Sequence, residues 1–248
     1  MVSKTFILVW IIPIVTVVVA NSDTRIVGGL QAFPGQFPYQ VSLQNAADKI
    51  HWCGGSILNE KWILTATHCV ENKKESEWLI QAGSNVINVG GTYHRIAKFI
   101  IHENYTPISD HKNDIALIKL VDAIIFSKVT QPIALGTELI GEVYATVSGW
   151  GWTDIGEYPH LKYLYMRTLT NQQCLKVWSD LQLDPGQICT FTAIAHDVCY
   201  GDSGGPLVAN GKQIGIVSFG KQCGDQLPAV FTRVSSYVEW INNTIHSH

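Results

Sequence analysis

The chain has little charge: Asp, Glu, Lys and Arg make up 15% of its 248 residues and sum to −3 at neutral pH. A nucleic-acid partner needs a basic face and an anionic membrane a basic stripe, so neither is expected. No C-x-x-C pair occurs, which removes the common spacing of a structural zinc site. No metal and no cofactor is expected. There is no βαβ rhythm, internal repeat or low-complexity tract, which argues against a parallel α/β sheet or a solenoid.

One long apolar run is present, at the N-terminus. Lys4 precedes Phe6 to Val19, and Val18-Val19-Ala20 ends it. A charged start, an apolar stretch and small residues at the end are the parts of a cleaved signal peptide, assigned to residues 1–20. The run is short for a membrane span and Pro13 interrupts it, so no membrane association is expected after cleavage. The chain is then secreted into an oxidising compartment. Its six cysteines, Cys53, Cys69, Cys174, Cys189, Cys199 and Cys223, suit three disulfides there, with the pairing open from sequence alone. Asn21 to Arg25 is polar, and Ile26-Val27-Gly28-Gly29 follows. A basic residue before an apolar one, just after a leader, reads as a processing site with 21–25 as propeptide.

With 46% hydrophobic residues the rest can bury a large core. Short runs with period-two alternation predict strands at 39–44, 55–58, 62–66, 78–82, 95–101 and 115–120. A connector around 131–141 separates these from a second set at 143–148, 161–169, 187–190, 206–209 and 213–219. Asn210-Gly211 predicts a tight hairpin, since both residues tolerate positive φ. Tyr237, Val238, Ile241 and Ile245 recur at helical spacing and predict a C-terminal amphipathic helix.

Cys199-Tyr200-Gly201-Asp202-Ser203-Gly204-Gly205-Pro206-Leu207 places a serine among glycines. A serine hydroxyl needs a neighbouring base, and the base needs an acid to hold its tautomer. Thr65-Ala66-Thr67-His68-Cys69 offers the base and Asn113-Asp114 the acid. The same serine also fits G-x-S-x-G, the nucleophile elbow of α/β-hydrolases. That fold needs the acid and histidine after the serine, on a parallel sheet. Here the order is His68, Asp114, Ser203.

That order, together with Ile26 to Gly29, Cys53-Gly54-Gly55-Ser56, Ser148-Gly149-Trp150-Gly151 and Ser218-Phe219-Gly220, resembles the chymotrypsin/trypsin family of serine endopeptidases. The likeness is greatest to insect secreted digestive or venom enzymes. Thr67 departs from the family's usual alanine. The resemblance implies two packed antiparallel six-stranded Greek-key β-barrels with a C-terminal α-helix. The protease domain would be residues 26–248, with its first barrel about 26–131 and its second barrel and helix about 132–248. It implies Ser203 as nucleophile, His68 as base, Asp114 as orienting acid, and the N–H groups of Gly201 and Ser203 as oxyanion donors, the roles of the family's own triad template. It implies disulfides Cys53–Cys69, Cys174–Cys189 and Cys199–Cys223. Ser218, Phe219 and Gly220 would pair with substrate backbone. Cleavage after Arg25 would free an ammonium on Ile26 that pairs with Asp202.

The specificity pocket would hold Asp197 at its floor, with Val198, Gly220 and Ala229 around it. A desolvated acid favours Arg or Lys; the Ala229 methyl and apolar Val198 argue for a shallower slot and large apolar or aromatic residues. The resemblance further implies peptide and protein substrates, an activating trypsin-like protease, protein protease inhibitors and a monomer. A non-catalytic, protease-like binding protein is the competing class; such proteins usually lack a triad residue, and this chain keeps all three. Asn104-Tyr105-Thr106 and Asn242-Asn243-Thr244 are N-glycosylation sequons.

Overall fold

A computed structural model describes residues 29–107, 111–138, 141–151, 159–192, 198–221, 223 and 227–248. Six strands, β1 (Gln40–Asn45), β2 (His51–Asn59), β3 (Trp62–Thr65), β4 (Trp78–Ala82), β5 (Thr92–Ile101) and β6 (Ala116–Leu120), close into an antiparallel barrel in the order β1-β2-β3-β6-β5-β4. Six more follow: β7 (Tyr144–Gly149), β8 (Lys162–Leu169), β9 (Gln187–Phe191), β10 (Pro206–Ala209), β11 (Lys212–Phe219) and β12 (Ala229–Arg233). They pair as β7-β8-β9-β12-β11-β10, and β10 returns to β7. The two barrels thus share one strand order, although no sequence repeat betrays it. Two-residue strands extend the second sheet: Leu30–Gln31 against β8 and Ala134–Leu135 parallel to β11.

The first barrel is filled by branched aliphatics such as Val41, Ile57, Ile63, Leu64, Ile80 and Leu117. These stiff side chains suit a pleated surface packed on its inner face. The second is filled by Val147, Met166, Ile188, Leu207, Val217 and Phe231. In β1 the alternation reads Val41 and Leu43 inward, but Ser42 and Gln44 on the other face are buried too. Buried polar side chains are expected to be paired; the Ser42 hydroxyl and the Gln44 amide nitrogen are, in a chain that reaches His51, while Gln44 Oε1 has no partner among the described residues.

Helix α2 (Val238–Ser247) carries the expected apolar face. Ile241 is fully buried, and with Tyr237 it joins the first barrel's core rather than the second's. Burying such a side chain contributes about 2–3 kcal/mol, so the C-terminus straps the second half of the chain back onto the first. The Asn210-Gly211 turn has φ of 50° and 72°, as its hairpin requires. Helix α1 (Asn171–Val177) and strand β12 were not among the expected elements. The signal for α1 was present: Thr170 and Gln173 form a reciprocal capping box, the S/T-x-x-E/Q pattern. For β12, proline and the short run Ala229-Val230-Phe231 hid a strand buried on both faces.

Candidate active site

His68 lies in a 3-10 turn, Thr67–Cys69, that leaves the end of β3. The Cys53–Cys69 disulfide ties this turn to β2. Thr67, fully buried, donates its hydroxyl to the Ile115 carbonyl at 2.7 Å, so the departure from alanine is absorbed by a hydrogen bond to the segment carrying Asp114. Asn113, at φ 56°, turns the chain ahead of β6. Its side chain is pinned by the Asn104 carbonyl and the Tyr237 hydroxyl.

Asp114 is fully buried. Its Oδ2 receives Nδ1–H of His68 at 2.7 Å and the Ser218 hydroxyl at 2.6 Å, and its Oδ1 accepts the His68 backbone N–H at 3.0 Å. Burial alone would raise its pKa. The charge and hydrogen bond of His68, with the Ser218 and backbone bonds, outweigh burial and hold the carboxyl below its ordinary range. For His68, burial pushes the pKa down, but attraction and hydrogen bonding from Asp114, with a smaller pull from Glu71, win and raise it. With Nδ1–H committed to Asp114, Nε2 of the neutral ring is left as the base.

Ser203 is half-buried and opens with His68 and Gly201 into a cavity of about 810 Å³, walled by Ile50, Trp52 and Trp150. No hydrogen bond joins its hydroxyl to Nε2 in this arrangement; such bonds often tighten only when substrate is bound. The N–H groups of Gly201 and Ser203 donate to no acceptor among the described residues. The neighbouring N–H groups of Asp202, Gly204 and Gly205 are all engaged, with carbonyls of Cys199, Val217 and Asp202. Two unengaged donors beside a serine hydroxyl are an arrangement that could hold an oxyanion. The loop is fixed by Cys199–Cys223 and by Gly204. The latter sits at φ +76°, where a Cβ would meet Thr65 Oγ1 at 2.2 Å and the Gly54 carbonyl at 2.7 Å.

His51 was missed in the sequence, where a lone histidine beside Lys49 and Ile50 carries no signal. Its Nε2–H donates to the Gly201 carbonyl at 2.8 Å, and its Nδ1 accepts from the Ser42 hydroxyl at 2.7 Å. Ser42 in turn accepts from Gln44 at 3.0 Å. Burial pushes the pKa of His51 down to about 4, the Gly201 bond opposing, so the ring stays neutral. This chain of first-barrel side chains holds the second-barrel loop that presents Ser203. Ser218, expected to meet substrate backbone, also proves to be a hydrogen-bond donor to Asp114.

Asp202 is buried beside the nucleophile and accepts N–H groups of Gly151 and Cys199, each at 2.9 Å. No cation among the described residues faces it, and burial, partly offset by these two bonds, raises its pKa from 3.8 to about 6. Gly149 and Gly151 are glycines because the carboxylate occupies their side-chain space: a Cβ would lie 2.1 and 2.3 Å from its oxygens. Arg25, Ile26 and Asp197 lie outside the described residues. Val198 and Ala229 are buried in the second barrel's core, and a Cβ on Gly220 would meet nothing within 4 Å. Phe219 and Gly220 line a second groove of about 380 Å³ with His111 and Trp178. The third disulfide, Cys174–Cys189, joins α1 to β9. Of the two sequons, Asn104 and Thr106 are exposed in a loop, whereas Asn242 lies on α2 with Thr244 buried.

Residues 26–241 match the family model described as Trypsin. Among curated proteins, the chain is 41% identical to Chymotrypsin-2 of Vespa crabro over 220 residues, covering 87% of this chain and 98% of that one. It is 38% identical to Trypsin alpha-4 of Lucilia cuprina, covering 90% and 88%, and 37% identical to Hypodermin-A of Hypoderma lineatum, covering 87% and 86%. With two six-stranded antiparallel barrels and matches that span most of its length, this chain belongs to the trypsin family of serine endopeptidases.

Proposed function

We propose that the chain is made as a secreted zymogen, is cleaved after Arg25, and then hydrolyses peptide bonds after Arg or Lys through an acyl-enzyme. Ser203 Oγ attacks the scissile carbonyl carbon while His68 Nε2 takes its proton, and the carbonyl electron pair moves onto oxygen. The Gly201 and Ser203 N–H groups receive that oxyanion; one such donor is worth about 3–4 kcal/mol in comparable sites. Collapse breaks the C–N bond, and His68 hands its proton to the leaving amine. Water then repeats the sequence against the acyl-enzyme, releasing the acid and restoring Ser203. Asp114 holds the His68 tautomer and stabilises its cation.

The observation that carries the zymogen reading is Asp202: a buried carboxylate with two N–H partners and no cation among the described residues is costly. A new Ile26 ammonium would supply the missing charge. The matching pair of glycines around the carboxylate supports a dedicated socket. Three disulfides and a leader-like N-terminus support secretion. Asn104, exposed with its threonine, is the better glycan acceptor of the two sequons. Protein protease inhibitors would enter the same cleft, and the enzyme would act as a monomer.

Asp197 supports Arg/Lys preference by its charge. The buried Ala229 and Val198 favour the second reading, large apolar or aromatic residues, and the relatives' names include both a trypsin and a chymotrypsin. A panel of peptide amides varied only at the residue before the scissile bond decides between them. Arg or Lys is expected to lead in kcat/KM; Phe, Tyr or Leu ahead by tenfold would establish the alternative. A serine-directed phosphonate should label the cleaved protein at Ser203. Absence of label after verified cleavage would point to the binding-protein class.

A further inference from the structure

His111 is a histidine the triad does not use, placed against one that it does. Its ring lies 5.9 Å from that of His68, centroid to centroid, at 66°. One donor atom each from His68, His111 and Asp114 lie within 4.8 Å of one another. Of the groupings found among the described residues, the other, Cys53, His68 and Cys69, has its sulfurs closed in a disulfide.

Each ring has an oxygen partner on Nδ1. Tyr105 Oη lies 3.2 Å from His111 Nδ1 and 3.5 Å from Glu71 Oε1. In the tautomer that donates Nδ1–H to Tyr105, Nε2 of His111 carries a lone pair. Asp114 imposes the same state on His68. Each imidazole therefore has one nitrogen oriented by an oxygen partner and the other ready to donate. Metal-ligating histidines are supported in this way, the second nitrogen bonded to an oxygen that fixes ring and basicity. Neutral imidazole nitrogens suit zinc, copper and nickel, whereas calcium and magnesium prefer oxygen.

We propose that His111 and His68 together bind a divalent transition-metal cation such as zinc, and that this binding reversibly inhibits the enzyme. Zn–N bonds of about 2.0–2.1 Å in a tetrahedral site put the two nitrogens about 3.3 Å apart, and the rings must move together to reach that spacing, from donor atoms that lie within 4.8 Å of one another here. His111 is half-buried in the groove it shares with Phe219 and Gly220, open to solution. Metal on His68 occupies the lone pair that must take the Ser203 proton. The inhibitory consequence rests on the proteolytic reading above; the binding site itself does not.

Two measurements separate these. Calorimetric titration of the cleaved Ser203→Ala protein with zinc chloride reads binding without turnover. One tight site is expected, weakened at least about tenfold by His111→Ala, since even an outer partner of a ligand costs that much. His111→Asn, which retains polarity, should weaken it likewise, and both variants are first matched to the parent in thermal unfolding. In active enzyme, zinc should suppress kcat/KM and EDTA restore it. Each variant, compared with its own metal-free rate, should need at least about ten times more zinc for half-inhibition, as the affinity loss dictates. Zinc binding unchanged by His111→Ala, or no binding, would overturn the proposal. Tight His111-dependent binding in a protein that cleaves no substrate would uphold the site and count against the proteolytic reading alone.

Discussion

Replacing Asp202 with Asn measures the cost of a buried carboxylate that faces no cation among the described residues. The side chain is 1% exposed, and its pKa is raised from 3.8 to about 6, burial prevailing over the Cys199 and Gly151 bonds. For an acid, a raised folded value means that the folded protein holds the proton more tightly than the unfolded chain. Stability therefore falls as pH rises through about 4 to 6, and above that window the loss totals about 3 kcal/mol. Asn does not titrate. It also turns an amide N–H toward a backbone N–H that the carboxylate had accepted, at a cost of about 1–3 kcal/mol that does not vary with pH. The expected signature is thus the shape of the pH profile, not its height. Urea midpoints are measured from pH 4 to 8 on the uncleaved Ser203→Ala chain with and without Asp202→Asn. The parent should lose about 2.4 kcal/mol relative to the variant across this range. After cleavage at Arg25 the relative loss should shrink, because an Ile26 ammonium offsets the buried charge. Parallel profiles before cleavage would refute the argument.

Asp114→Asn should leave KM near its parent value and lower kcat about 10⁴-fold, the figure of the family's triad template, because the amide favours the wrong His68 tautomer; steady-state kinetics on a small ester checks it. Activity should rise with pH along the titration of His68, with a midpoint above the ordinary 6.5, since Asp114 overcomes burial and raises it; a kcat/KM profile with its acid limb below 6.5 contradicts that. Gly204→Ala forces a side chain into φ +76° and onto Thr65 and Gly54. It should cost about 3 kcal/mol or more, lowering Tm by roughly 6–12 °C for a chain of this size.

The readable part of this sequence was the part whose chemistry is local. Ser203 among glycines, His68 before Cys69 and Asp114 after Asn113 stand out because turns and strand ends demand those residue types. The strands were legible as alternating runs, their closure into two barrels only through the family resemblance, and α2 as a 3.6-residue period. His51 was not, because its role depends on Ser42 across a strand pair and on Gly201, 150 residues away. The second duty of Ser218 was hidden for the same reason: nothing near it announces a carboxylate 104 positions earlier. β1 shows the limit of the alternation rule, since Ser42 and Gln44 read as a solvent face yet supply a buried relay.

In the proposed mechanism the base and its acid come from the first barrel and the nucleophile from the second, so catalysis would depend on how the seam is fixed. Several hydrogen bonds that cross it end on the proposed catalytic groups or the loop that carries them. Gly54 N–H donates to the Ser203 carbonyl at 2.8 Å. The Ser218 and Thr232 hydroxyls bond the Asp114 carboxylate and carbonyl at 2.6 and 2.7 Å, and His51 bonds the Gly201 carbonyl at 2.8 Å. Ser56 to Gln213 and Ser148 to Gln40 add buried pairs on the same interface. Apolar contacts could hold two barrels together, but they tolerate small slides. Directed bonds do not, weakening steeply with misalignment, and a misplacement of about 1 Å can cost about 10²-fold in rate. Polar side chains at this seam therefore serve positioning, and substitutions there should be felt in kcat before they are felt in Tm.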